Sequence, residues 1–235
     1  MHRLLNIHSI YLATEGEGLQ VGRPQVFVRF QGCAIACVNC DSKETWSFEP
    51  QFPMSLEKVL SEIESLSPAK KIRWISITGG DPLHPKNLEG AISLAKALKK
   101  RGNRINIEAA GTRVPHELFD LVDYISFDIK TPKTGVQTSL NKVRELISQY
   151  SGRFQLKSVI EDKEDFEYIS ELEEKLSLEF EQELPWVLTP CYHVGEEFPR
   201  QRFIDIISLN EKSGGRFRVI GQQHKWVYGS SKLNV

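Results

Sequence analysis

The chain is expected to fold as an α/β protein with parallel strands and helices outside them. Three features lead there. Short β-branched and aromatic runs recur along the sequence, most are followed by a segment with helical spacing, and glycine or proline marks the joins. Residues 25–30 (QVFVRF) form the first strand signal, stopped at Gly32. Ser55 is placed to cap a helix whose apolar face is Leu56, Val59, Leu60 and Ile63. Residues 73–78 (RWISIT) read as a buried strand ended by Gly79-Gly80, and Leu88, Ala91, Ile92, Ala95 and Leu98 as a helix ended by Gly102. Strands follow at 105–109, 124–129 and 154–160, with helices over 114–121, 136–148 and 164–176. The last of these turns Phe166, Ile169, Leu172 and Leu176 inward. A strand at 186–188, a helix at 203–209 and a strand at 217–220 complete the alternation; 47–53 reads as a loop and 229–235 as a tail. Repeated β-then-α units favour right-handed crossovers, and periodicity does not separate an open sheet from a barrel.

The 235 residues are expected to form a single domain over 1–235. Forty per cent hydrophobic and 26 % charged residues describe a globular protein with a full core, and a net charge of −1 argues against a broad electrostatic hold on nucleic acid. No apolar run reaches membrane-spanning length, and Glu15 and Glu17 interrupt the N-terminus before a signal core develops, which excludes a membrane or secreted protein. Of four cysteines, Cys33, Cys37 and Cys40 fall within eight residues while Cys191 stands apart. That distribution suits a shared ligand better than a disulfide framework, and with it a reducing, cytoplasmic setting.

Iron–sulfur clusters are held by thiolates, and a four-iron cluster normally takes four. Three from one loop leave one iron open to a substrate or cofactor. A zinc site is the alternative, and it needs a further ligand such as His193 or Cys191. Cys33-x3-Cys37-x2-Cys40, after the first strand of a β/α chain, resembles the radical S-adenosylmethionine (SAM) superfamily. That resemblance implies a partial (β/α) barrel, a [4Fe-4S] cluster on Cys33, Cys37 and Cys40, and SAM chelated by the open iron. It also implies a 5′-deoxyadenosyl radical formed by electron transfer from the cluster. One strand later, Thr78-Gly79-Gly80-Asp81-Pro82 is similar to the superfamily's Gly-Gly-Glu-Pro segment, which meets the SAM amino group, with Asp81 in place of Glu. Two glycines there allow close approach of backbone to a ligand.

Glu15-Gly16-Glu17-Gly18, Gly22-x-Pro24, Phe27-Val28-Arg29, Gly32-Cys33 and Cys40-Asp41-Ser42 leading to Thr45-Trp46 resemble one family within it, the 7-carboxy-7-deazaguanine synthases. The likeness is dense in the N-terminal fifth and scattered beyond. It implies a carbon–nitrogen lyase that contracts 6-carboxy-5,6,7,8-tetrahydropterin to 7-carboxy-7-deazaguanine with loss of ammonia, feeding 7-deazapurines such as preQ0, queuosine and archaeosine. The pterin would be held by Thr14, Glu15, Gly16, Glu17, Arg29, Thr78, Gln223 and His224. Cofactor contacts would come from Asn39, Asp41, Gly79, Gly80, Glu108, Ser126, Asp128, Lys130, Lys157 and Pro190, with Mg²⁺ on the Ser42 hydroxyl. Arg29 suits the substrate carboxylate because a guanidinium pairs with it bidentately. Residues 107–112 are similar to the family's Glu-Thr-x-Gly-Thr strand end, and Gln223-His224-Lys225 to its closing Gln-x-His-Lys, part of a closing segment at about 217–235. Residues 126–130 depart from the family's shorter Ser-Pro-Lys. No side chain is assigned as catalytic, since the radical takes the hydrogen. An electron donor such as flavodoxin or ferredoxin and a homodimer are further implications.

Plainer readings stand beside these. Arg29 suits a surface salt bridge, Glu15 and Glu17 an acidic turn, Ser42 a cap, and Lys157 a strand finishing in a polar turn. Trp46 and Trp74 read as core, Cys191 as a spare buried thiol, and His2, His8, His84, His116 and His193 as surface or capping residues. Two rival functions remain: a radical SAM activase that makes a glycyl radical on a partner protein, and a zinc-binding interaction module.

Overall fold

The computed structural model describes residues 4–49 and 53–235. The first strand, β1 (Leu5–Thr14), runs antiparallel to β2 (Pro24–Phe30) and to the short β3 (Pro53–Met54). After α1 (Leu56–Leu66) the regular alternation begins: β4 (Trp74–Gly79), α2 (Pro85–Lys100), β5 (Arg104–Ala109), α3 (His116–Phe119), β6 (Tyr124–Asp128), α4 (Leu140–Tyr150) and β7 (Phe154–Ile160). It continues through α5 (Lys163–Phe180), β8 (Trp186–Pro190), α6 (Arg200–Lys212) and β9 (Arg218–Val219), and ends with α7 (Gln223–Tyr228). The strands form one sheet in the order β3-β1-β2-β4-β5-β6-β7-β8-β9, parallel from β2 to β9. β3 and β9 lie at its two edges without pairing to each other, so the sheet is open, a partial barrel.

Period-two alternation divides this sheet into two faces. Val26, Val28 and Phe30, Ile75 and Ile77, Ile105 and Ile107, Ile125 and Phe127 are fully buried, in the core that also takes the apolar sides of the helices. Apart from Phe27 of β2, the intervening residues are polar. Asn106 donates to the Ser76 hydroxyl (3.0 Å), Ser126 to the Asn106 carbonyl oxygen (3.3 Å), and Gln155 to the Ser126 hydroxyl (2.7 Å), all four being buried. The Gln155 carbonyl oxygen then accepts from the Leu19 amide at 2.5 Å, so a polar layer crosses the strands and ties the N-terminal loop to them. Buried polar groups are tolerable when each finds a partner, as these do.

Local signals set most element limits. The Ser55 hydroxyl accepts from the Lys58 amide (3.2 Å), the His84 ring from the Lys86 amide (3.2 Å), and Asp162 from the Glu164 and Asp165 amides (3.0 and 3.2 Å), each at a helix N-terminus. The β1 strand is absent from the sequence expectation because a bulge between Ile7 and Ser9 shifts its phase. Leu5 and Ile7 point to the core before the bulge and Ile10 after it, so the alternation breaks in the letters but not in space. The helix expected over 136–148 begins instead at Leu140. Gly135 takes a left-handed φ of 78°, and Thr138 Oγ1 accepts from the Lys130 amide (2.8 Å), which holds the intervening residues as a loop. The helix expected over 114–121 shrinks to one turn, α3, and α7 forms where only a motif was expected. Within the expected 47–53 loop, 50–52 lie outside the described residues and Pro53 enters β3; His2 also lies outside.

Ile107 sits fully buried in the middle of the sheet, between β4 and β6. Ile107→Ala is expected to lower unfolding free energy by about 2–5 kcal/mol, read as a drop in the denaturant midpoint at constant slope.

Candidate active site

Beyond the polar layer, at the carboxyl ends of the parallel strands, the sheet opens into a cavity of about 780 Å³. This is where parallel sheets place ligands. Cys33, Cys37 and Cys40 all line it, on the loop that leaves β2. Main-chain amides address two of the sulfurs: Ile35 N–H points to Cys33 Sγ and Ser42 N–H to Cys40 Sγ, both at 3.4 Å. Cys191 lines the cavity from the end of β8, 3.7 Å from His193 Nε2, and burial raises its thiol pKa to about 11. Among the described residues no three His, Cys, Asp or Glu side chains are drawn together as a closed metal-binding group.

The cluster loop is locked onto β4 by backbone contact. Gly80 N donates to Phe30 O (3.0 Å) and Asp81 N to Gly32 O (2.9 Å). A Cβ at Gly79, where φ is 136°, would meet Phe30 N at 2.3 Å, and one at Gly80 would meet Gly32 O at 2.7 Å. The two glycines are therefore required by the close approach of the cluster loop itself. Asn87, buried on α2, donates to the carbonyls of Gln31, Gly32 and Asp81 at 3.1, 3.3 and 2.9 Å. Asp81 turns away from the cavity; it is fully buried, accepts from the Leu83 amide (3.0 Å) and lies 3.4 Å from Arg113.

The floor carries a cluster of charge. Lys157 on β7 lies 2.7 Å from Glu108 of β5, 3.7 Å from Glu17 and 4.0 Å from Asp128 of β6, with its side chain only 9 % exposed. Lys130 pairs with Asp128 at 2.7 Å. Burial works against the Lys157 ammonium, but Glu108, Glu17 and Asp128 hold its pKa well above the ordinary value. Glu15 is buried beside them. Its Oε1 accepts from the Gly16 and Glu17 amides and its Oε2 from Gln25 Nε2 at 2.5 Å. Burial, then the neighbouring Glu108, raise the Glu15 pKa to about 8 against the opposing pull of Lys157.

The opposite wall is basic and hydroxylic. Arg29 Nη2 donates to the Tyr11 hydroxyl (3.0 Å) and Nη1 to the Ser42 hydroxyl (3.3 Å), while Tyr11 stacks on Phe27 at 5.2 Å between centroids. Ser42 in turn donates to Asp41 Oδ1 at 3.2 Å. Desolvation works against the Asp41 carboxylate, but Lys225 at 3.2 Å and Arg29 outweigh it and lower its pKa. The buried Lys225 thereby joins α7 to the cluster loop, and it also donates to Tyr192 O at 2.9 Å, in the segment after β8. α7 further docks on the N-terminal loop through Gln223 N–H to Gly16 O (2.7 Å). A Cβ on Gly16 would collide with the His224 ring, at 2.0 Å from Nδ1. Burial lowers the His224 pKa against the pull of Glu17, leaving a neutral imidazole near pH 7.

The cavity thus brings together Thr14, Glu15, Gly16, Glu17, Arg29, Asn39, Asp41, Ser42, Thr78, Gly79, Gly80, Glu108, Asp128, Lys130, Lys157 and His224 with the three cysteines. Three expected contacts are placed elsewhere. Ser126 lies in the buried polar layer, and neither Pro190 nor Gln223 lines the cavity. Trp46 and Trp74 are not core: Trp46 lines the cavity, and Trp74 is half-buried under the Arg23 guanidinium, 4.0 Å from its centroid. His84 caps α2 as expected and His116 bonds Tyr150 and Glu145, while His193 lines the cavity near Glu161 (3.3 Å). Lys157, whose plainer reading was a polar turn, is a buried ion-paired residue. Sequence reasoning missed Tyr11, Gln25 and Asn87, and it named Lys225 only as part of the closing motif without a role; each of the four holds another site residue in place.

A protein family described as a 4Fe-4S single cluster domain matches residues 14–126. Fold, triple-cysteine loop and strand-end cavity together define a radical SAM enzyme, with a [4Fe-4S] cluster and SAM as its cofactors. The 7-carboxy-7-deazaguanine synthase of Leptospira interrogans is 29 % identical over 97 % of this chain and 97 % of its own length. That of Bacillus cereus is 32 % identical over 68 % of this chain and 67 % of its own. The crystal structure of QueE from Escherichia coli covers 94 % of both chains with a TM-score of 0.64 at 21 % identity, a likeness of fold. The chain belongs to the 7-carboxy-7-deazaguanine synthase family.

The donor set fits these cofactors: three thiols on one loop, two amides already aimed at sulfur, and room beside them for further ligands. Gly80→Ala is expected to push the cluster loop off β4 and lower the iron content of anaerobically reconstituted protein, measured per chain, with the helical signal by circular dichroism retained. The raised Glu15 pKa gives a second expectation. Its ordinary value is 4.5 and its folded value about 8, so the folded state holds this proton more tightly. The stabilisation is complete below about pH 4.5 and is lost as pH rises to about 8. Glu15→Gln should therefore gain stability relative to wild type as pH rises through that window, read by thermal melts at a series of pH values.

Proposed function

We propose that this chain converts 6-carboxy-5,6,7,8-tetrahydropterin to 7-carboxy-7-deazaguanine with loss of ammonia. The observation that carries the reading is the pairing, in one cavity beside the cysteine loop, of a guanidinium on one wall with a carboxylate and main-chain cradle on another. Arg29, pre-aimed by Tyr11 and Ser42, suits the substrate carboxylate. Glu17 and the main chain of Thr14, Glu15 and Gly16 suit the guanine-like edge of the pterin, which presents N–H donors beside a carbonyl. His224, packed against Gly16 and neutral, closes that side with α7. Cluster and SAM together supply a carbon-centred radical that removes one hydrogen from the substrate. What the residues of this chain contribute is orientation and exclusion of water, so that one C–H bond is presented.

The same reading places Asn39, Asp41, Gly79, Gly80, Glu108, Asp128, Lys130 and Lys157 around the cofactor, and a Mg²⁺ on the Ser42 hydroxyl. The Asp41 carboxylate that accepts from this hydroxyl is a second oxygen donor for such a cation, while the Arg29 guanidinium on the same hydroxyl is left to the substrate carboxylate. It also includes one domain, a cytoplasmic setting with a flavodoxin- or ferredoxin-type reductant, and a homodimer. Among the described residues no helix is long and apolar enough to cross a membrane. Trp226, Val227 and Tyr228 of α7 with Ile204 of α6 leave exposed apolar surface for a second copy to cover.

The deciding experiment incubates reconstituted protein anaerobically with SAM, a reductant and the carboxytetrahydropterin, with and without Mg²⁺, and looks for the deazaguanine by mass and absorbance. No product with an intact cluster abandons the assignment. Arg29→Gln should raise KM for the pterin by about ten- to a hundredfold, the worth of charge-assisted hydrogen bonds, while the cluster absorbance is unchanged.

A further inference from the structure

We propose that Lys157 is a positioning residue that couples the two halves of the cavity, so that cofactor bound beside Glu108 and Asp128 and pterin bound beside Glu15 and Glu17 tighten one another. The inference rests on the function proposed above and adds to it a bridge between the two ligands. Its ground is geometric. A single ammonium, nearly enclosed, reaches Glu108 at 2.7 Å and Asp128 at 4.0 Å on the strand ends, and Glu17 at 3.7 Å on the loop that precedes β2. Lys130, the other cation of the floor, pairs with Asp128 at 2.7 Å, on a strand end rather than on the N-terminal loop. Glu17 is thus tethered to the sheet by the same cation that neutralises the carboxylates across from it.

The consequence follows from charge. SAM carries a sulfonium, an ammonium and one carboxylate, a net charge of about +1, and it would enter beside Glu108 and Asp128. Positive charge arriving there shares the work of neutralising those carboxylates, and Lys157 is free to settle on Glu17. A Glu17 side chain held in place presents its oxygens to the N–H edge of a pterin. The same charge favours ionised Glu15, which burial and Glu108 hold protonated near neutral pH when the floor is otherwise unrelieved. By linkage the effect is reciprocal: whatever SAM does to pterin affinity, the pterin does to SAM affinity.

The test uses cluster-loaded protein without reductant, so that both ligands bind and neither reacts. SAM affinity is measured by calorimetric titration with and without 6-carboxy-5,6,7,8-tetrahydropterin, and pterin affinity with and without SAM. Each ligand is expected to tighten the other by about tenfold, within the usual range of coupling between sites. Lys157→Met should bring that factor to within about twofold of none, whatever it does to the affinity for each ligand alone, and Lys157→Arg, which keeps the charge, should retain most of it. A wild-type factor within twofold of one, or equal coupling in wild type and Lys157→Met, overturns the proposal, and the wild-type measurement decides even if Lys157→Met fails to fold. Pterin that binds without coupling removes the bridge and leaves the function standing; pterin that does not bind at all removes both.

Discussion

The constraint on which the molecule depends is the pleat of a parallel sheet whose two faces meet different surroundings. Each strand must place every second residue against helices and every other residue into the concave interior. An interior filled with apolar side chains would be a core. Here Ser76, Asn106, Ser126 and Gln155 fill its lower part with mutually bonded polar groups, and one pleat repeat further along the strands come Thr78, Glu108, Asp128 and Lys157. The first layer satisfies its own hydrogen bonds and needs no ligand. The second is charged, open toward the strand ends, and left with capacity to bind.

Around this floor the walls are made of backbone more than of side chains. The cluster loop lies against β4 so closely that Gly79 and Gly80 admit no Cβ, and Asn87 fastens the same crossing with three hydrogen bonds. The N-terminal loop is held from below by Gln155 and from above by α7, whose His224 ring rests on Gly16. Lys225 then joins α7 to Asp41 of the cluster loop. Three segments far apart in sequence therefore close one cavity, and the position of each depends on the others. Such mutual bracing is what a site needs if it is to hold a reactive species against one bond.

How much of this could be read from the letters depends on how local each signal is. Strand and helix alternation is local, and it placed β2, β4 to β8 and the long helices within a few residues. The cysteine triad and the Gly79-Gly80 turn are local as well. β1 was hidden because its bulge puts Leu5 and Ile7 out of phase with Ile10. The roles of Tyr11, Gln25, Asn87 and Lys225 arise only when distant elements meet, as when Asn87 on α2 reaches Gln31 and Gly32. One signal was available and unused: polar residues at alternate positions of otherwise apolar strands, from Ser76 to Gln155, mark an interior that is not an ordinary core. Ser126 belongs to that layer, and its resemblance to a cofactor-contact segment pointed past the pleat that buries it.

Concentrating charge on the floor has an energetic logic of its own. Glu15, Glu17, Glu108 and Asp128 repel one another, and among the described residues Lys157 and Lys130 are the cations paired with them, so the floor holds an excess of negative charge by residue type. Desolvated charges of one sign are costly, and the raised pKa of Glu15 is how that cost is expressed. A ligand carrying net positive charge relieves it, whereas a neutral or anionic ligand of the same shape does not. This repulsion is thus a source of selectivity for a cationic cofactor, and it accounts for the presence of carboxylates at depths where the rest of the sheet keeps only neutral polar groups.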